Sequence, residues 1–97
     1  MAEPLKDTIL IGKKPIMNYV IACLTLFNAG KNTITIKARG LVIPNAVDTV
    51  ELLRRIFVKD LKIKRIVIGS QQFQKADGYM NTVSTMTITL SKLNKGV

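Results

Sequence analysis

The rhythm of apolar positions changes along the chain, and each rhythm predicts an element. Ile9, Leu10 and Ile11 form a short apolar run, read as a strand over Thr8–Ile11. From residue 16 the spacing turns helical, with Ile16, Met17, Val20, Ile21, Cys23, Leu24, Leu26 and Phe27 apolar. This predicts a helix from Pro15 to Ala29, opened by a proline in its first turn and stopped by Gly30 in the left-handed region. So broad a stripe is expected to be covered on more than one side, by a sheet and by a second helix or subunit. Thr33–Ala38 alternates, with Ile34 and Ile36 facing one way and Thr33, Thr35 and Lys37 the other, as in a half-buried strand. Arg39-Gly40 breaks it. A second helix is predicted from Pro44 or Asn45 to Val58, with Val47, Val50, Leu53 (or Leu52) and Phe57 at helical spacing. Its Glu51 and Arg55 form an i, i+4 pair in the favourable orientation.

Lys62–Ser70 reads as a third strand, with Ile66 and Ile68 on one face and Lys62 and Lys64 sharing their parity. Val83–Leu93 is the fourth, with Met86, Ile88 and Leu90 inward and Thr85, Thr87, Thr89 and Ser91 outward. Between them Gln71–Thr82 contains Asp77-Gly78, a hairpin turn signal, and both strands can extend well into it. The order β-α-β-α-β-β predicts an α/β two-layer sandwich, a four-stranded mixed sheet with two helices on one face. Residues 1–7 are polar, contain Pro4 and are expected to be flexible; residues 8–97 form a single domain.

Charge narrows the function. Fifteen Lys and Arg against six Asp and Glu give a formal net charge of +9 in 97 residues. A folded domain this basic has a polyanion in view, nucleic acid or an anionic membrane surface. No apolar run approaches the ~20 residues of a membrane span, and the first residues lack the basic and apolar regions of a secretory signal. The single cysteine, Cys23, excludes an intrachain disulfide and suits a reducing compartment, so a cytoplasmic protein is expected. There is no histidine, which removes the commonest general base and metal ligand together. Asp48 and Glu51 stand beside Arg54 and Arg55 and read as surface ion pairs, not an acid–base dyad. No enzymatic activity, metal or cofactor is expected.

Three polar groups fall at connections. Lys13-Lys14 stands in the first β-α turn, at a helix start where the macrodipole disfavours cations by ~0.3–1 kcal/mol each. Either both project into water or an anion is expected there, since the free N–H groups of a helix start already favour phosphate. Lys37 and Arg39 end the second strand, at the same carboxyl edge. Lys75 stands in the hairpin, amid amides and hydroxyls (Ser70, Gln71, Gln72, Gln74, Asn81, Thr82): either a solvated β-ribbon with no role or a source of hydrogen bonds that carry little sequence information. Asn18, in the first helical turn, either donates to phosphate or supports the helix start. Lys59, Lys62, Lys64 and Arg65 cluster around Asp60 and read as a solvated face. Phe57 is either core or an exposed contact for another copy.

Ile11-Gly-Lys-Lys-Pro-Ile-Met-Asn-Tyr-Val20, Ile36-Lys-Ala-Arg-Gly40, Ala46-Val-Asp-Thr-Val-Glu51 and Ile68-Gly-Ser70 together resemble the Alba family of archaeal chromatin proteins, in order and at the family's spacings over about residues 8–93. The resemblance implies a homodimer that binds double-stranded DNA, and often RNA, without sequence preference, and that coats and compacts the chromosome. By position it implies that Lys13 and Lys14 are the DNA-facing loop lysines. It implies that Lys13 is the acetylatable one, with an acetyltransferase and a deacetylase as possible partners. Arg39 would be a backbone-contacting arginine, and the Gln71–Asn81 hairpin the arm that reaches along the minor groove. Phe57 would be an aromatic in contacts between dimers. Two departures stand out: Leu41 replaces the second arginine of the family's common Arg-Gly-Arg, and the arm carries only Lys75, near Asp77.

A second reading is an RNA-binding subunit of a ribonucleoprotein particle, as relatives of the family also imply. A membrane-surface role would need a helix with cations along its polar face. The first helix has none after Lys14 and the second mixes Asp48 and Glu51 with its arginines, so no membrane partner is expected.

Overall fold

In the computed structural model, residues 7–92 are described. The strands are β1 (Thr8–Leu10), β2 (Thr33–Arg39), β3 (Leu61–Gln74) and β4 (Met80–Lys92), and the helices are α1 (Ile16–Asn28) and α2 (Ile43–Leu52). They form one sheet in the order β1-β2-β4-β3. β1 pairs parallel with β2, and the remaining pairs are antiparallel. This is the expected two-layer α/β sandwich. The expected flexible segment lies outside the described residues except for Asp7, whose carbonyl accepts the Thr35 N–H at 3.0 Å.

α1 starts one residue later than expected, because Pro15 is extended (ψ 148°) and caps the helix from outside. It ends as expected: Lys31 N–H bonds Leu26 C=O and Gly30 N–H bonds Phe27 C=O, a Schellman closure with Gly30 at φ +98°. Val20, Cys23 and Phe27 are buried in one cluster with Ile34, Ile36, Ile88 and Leu90 of the sheet, Ala46 and Val50 of α2, and Leu53 just after it. Thr49 is fully buried, its hydroxyl satisfied by donating to the Asn45 carbonyl at 2.7 Å. Met17 and Ile21 stay exposed on α1, so part of its wide stripe is uncovered within one chain.

Two irregularities correct the expected faces. β3 carries a bulge between Ile63 and Arg65. The extra residue, Lys64, reverses the alternation, so Ile66 and Ile68 share the helix side with Leu61 and Ile63 and not with Lys62. The second helix begins with a 3-10 turn at Gly40–Val42 and ends in a π turn at Leu53–Phe57. There Val58 N–H reaches back five residues to Leu53 C=O at 2.8 Å. That inserted residue lets Val58 follow Leu53 into the core and leaves Phe57 44% exposed. Val47, expected inward, is also exposed, because Ala46, Thr49, Val50 and Leu53 supply the core face. Past Leu52 the α pitch is not kept, and Glu51 pairs with Arg54 at 2.7 Å instead of Arg55.

β3 and β4 continue as a two-stranded arm to a turn at Lys75–Tyr79, and the chain extends over 55 Å along its longest axis. Among the described residues no helix is long and apolar enough to cross a membrane.

Candidate nucleic-acid interface

Parallel pairing decides where the cations meet. Leu10 lies beside Lys37 in the register, and Ile11 N–H bonds the Lys37 carbonyl at 2.9 Å. The Gly12–Pro15 turn therefore leaves the sheet at the end where β2 presents Lys37 and Arg39. Antiparallel β4 begins its paired stretch at the same end, with Thr85 opposite both Arg39 and Gly69. Lys13, Lys14, Lys37 and Arg39 are all exposed, at one edge of the sheet. Among the described residues the two ion pairs are Lys31–Asp7 and Arg54–Glu51, and neither uses a cation of this edge.

The lysine turn is held from below. Tyr19 is buried, and its hydroxyl accepts hydrogen bonds from Gly12 N–H at 2.9 Å and Lys14 N–H at 3.0 Å. The Asn45 amide donates to the Gly12 carbonyl at 3.4 Å, which ties the turn to α2 as well. A Cβ at Gly12 would lie 3.3 Å from the Tyr19 oxygen, so this position needs close approach and not a positive φ. Lys13 is thus displayed on a turn fixed on both sides of it, with no acidic residue in the first turn of α1 to neutralise the helix start. Asn18 is exposed, its N–H bonded to the Pro15 carbonyl at 3.0 Å.

The arm is joined to the same edge. Arg39 Nη1 donates to Gln71 Oε1 at 3.1 Å. Gly40, at φ +62°, turns the chain where a Cβ would lie 3.1 Å from Val83 Cγ2; only glycine suits that conformation beside the base of the arm. A groove of about 640 Å³ opens here, lined among others by Leu10, Lys37, Arg39, Gln71 and Thr87. Beyond it Lys75 continues the face of Arg39 and Gln71, whereas Gln72 and Gln74 lie on the opposite face of the ribbon. Sequence reading missed the contributions of Tyr19 and Asn45. Its available signal was a tyrosine inside an apolar helical stripe, whose hydroxyl needs a partner once buried.

The profile of the family described as Alba matches residues 7–70, about two thirds of the chain. The chain belongs to the Alba family. A solved structure of Alba from Thermoplasma volcanium is 45% identical, with 88% of this chain and 99% of that one covered and a TM-score of 0.82. ALBA1 from Trypanosoma brucei, at 20% identity, 90% and 69% coverage and a TM-score of 0.73, shares the fold. Alba membership supports a DNA- or RNA-binding protein of the chromatin type.

Proposed function

We propose that this protein binds double-stranded DNA without sequence preference, as a homodimer that coats and compacts the chromosome, and that it also binds RNA. The observation that carries the reading is the exposed Lys13-Lys14 turn, fixed by Tyr19 and set at the same sheet edge as Lys37 and Arg39. Fixed cations beside a helix start suit phosphate oxygens, and phosphate contacts hold a protein on a duplex without reading its sequence. Lys13 is the position for regulation by acetylation, which would remove one of these charges without touching the core. Asn18, Gln72, Gln74 and Lys75 are auxiliary polar contacts from the helix start and the arm.

A second copy suits the uncovered apolar surface. Ile66 and Ile68 on the helix side of the edge strand are 51% and 73% exposed, and Ile56 within the π turn is 54% exposed. Covering them with the same face of a partner would bring two cationic edges into one particle, with a formal charge of twice +9, or +18. Phe57, outside the core, is then available for contact between neighbouring dimers.

The test is binding of the pure protein to duplex DNA and structured RNA of equal length across a salt series. Tight, cooperative binding to DNA whose log K falls by ~0.9 per phosphate neutralised supports the proposal. Strong preference for RNA at equal salt replaces it with the ribonucleoprotein reading, and no binding to either at low salt overturns both.

A further inference from the structure

The arm exposes large side chains that phosphate contacts alone do not call for. Phe73, Tyr79 and Met80 are 43%, 72% and 59% exposed, although they are large and apolar or aromatic. The register sorts them. Phe73 pairs with Asn81, and Lys75 N–H bonds the Tyr79 carbonyl, so Phe73, Asn81, Lys75 and Tyr79 share one face. That face is continuous with Gln71, Val83, Thr85 and Arg39 on the outer side of the sheet, the side away from the helices. Met80 and Gln74 lie on the other face. A single surface therefore runs from Lys37 and Arg39 over Gln71 to Phe73, Lys75 and Tyr79, alternating cations with aromatic rings.

Phe73 and Tyr79 are diagonal neighbours across the ribbon, and such positions stand about 7–8 Å apart. This is close to twice the ~3.4 Å rise between stacked bases, the spacing that one base stacked between two rings requires. Cations that follow a backbone, interleaved with exposed rings, are the composition of a single-strand platform, where stacking accepts any base. A closed duplex offers its bases to neither ring. Asp77 beside the arm's one cation weakens any purely electrostatic grip there, which leaves stacking as the arm's principal contribution.

We propose that the outer face of the arm binds single-stranded nucleic acid, with unpaired bases stacked on Phe73 and Tyr79 and the backbone held by Arg39, Lys37 and Lys75. The proposal rests on the nucleic-acid reading above and adds a ligand form to it. The test compares wild type, Phe73→Ala/Tyr79→Ala and Tyr79→Phe for binding to an unstructured oligouridylate and to duplex DNA at equal salt. The double variant should lose at least about tenfold in affinity for the oligouridylate, with duplex affinity within about twofold, while Tyr79→Phe keeps wild-type affinity. The chain has two tyrosines and no tryptophan, and Tyr19 is buried. Tyrosine emission should therefore be quenched by the oligouridylate in wild type and not in Tyr79→Phe. Unchanged oligouridylate affinity in the double variant overturns the stacking while the duplex reading stands. Equal loss on both ligands also overturns it, by assigning the rings to the duplex. A wild type that binds neither ligand overturns the nucleic-acid reading itself.

Discussion

Tyr19→Phe removes one oxygen and leaves the ring in place. That oxygen accepts two backbone bonds, from Gly12 at 2.9 Å and Lys14 at 3.0 Å. A hydrogen bond contributes ~0.5–1.5 kcal/mol net, so two give about 1–3 kcal/mol. The turn is only partly buried, and water can reach some of the freed N–H groups, which places the expected loss at about 1–2 kcal/mol. For a domain of this size that lowers Tm by on the order of 5–15 °C. The functional loss has its own signature. Lys13 and Lys14 remain, so the slope of log K against log salt is kept, while DNA affinity falls because the turn must be ordered on binding. Thermal melts, amide exchange at Gly12 and Lys14 and a DNA salt series read these effects separately. Unchanged Tm with unchanged exchange at both amides would refute the role of Tyr19 as the support of the lysine turn.

Lys13→Gln should leave Tm unchanged and reduce the DNA salt slope by ~0.9 per binding site, with equal weakening on every sequence; unaltered affinity at moderate salt removes Lys13 from the interface. Leu41 is 97% exposed at the cationic edge, so Leu41→Arg should cost under ~0.5 kcal/mol and steepen the same slope by ~0.9, as duplex titrations across salt will read. Phe57→Ala should abolish cooperative coating in gel-shift titrations while single-dimer affinity holds, and a Tm loss of more than ~10 °C would place the ring in a core instead. Burial pushes the Cys23 thiol from 9.0 up to about 12, so it should resist alkylation at mildly alkaline pH until the chain unfolds. Because the folded thiol holds its proton longer than the unfolded one, its contribution to stability is complete below pH 9.0 and is lost as pH rises toward about 12. Urea midpoints of wild type and Cys23→Ala across that range should converge.

The elements were legible because their periods are clean: Ile34 and Ile36 alternate, and so do Met86, Ile88 and Leu90. Both misplaced faces trace to one inserted residue each. Lys64 enters β3 as a bulge and reverses the parity of Ile66 and Ile68; the π turn adds a residue after Leu53 and exchanges Phe57 for Val58. Periodicity assumes a uniform pitch, and neither Lys64 nor Arg54–Phe57 carries a composition that announces the change. The cations at the sheet edge were readable from the two β-α turns. Their supports were not, because Tyr19–Gly12, Asn45–Gly12 and Arg39–Gln71 depend on which turn lies above which side chain.

The bulge also decides what the two sides of β3 present. Beyond Lys64 the odd positions, Arg65, Val67, Gly69, Gln71 and Phe73, face outward with Arg39, and the even positions face the helices. Were Lys64 to take a regular place in the ladder instead of bulging, Ile66 and Ile68 would lie on the outer face, and Gln72 and Gln74 would stand in line with Arg39. The apolar pair would then sit among the cations and the exposed phenylalanine on the helix side. One inserted residue thus separates an apolar surface suited to a second copy from a cationic and aromatic surface suited to nucleic acid. It does so on a single strand, and the Arg39–Gln71 hydrogen bond then fixes where the second surface begins.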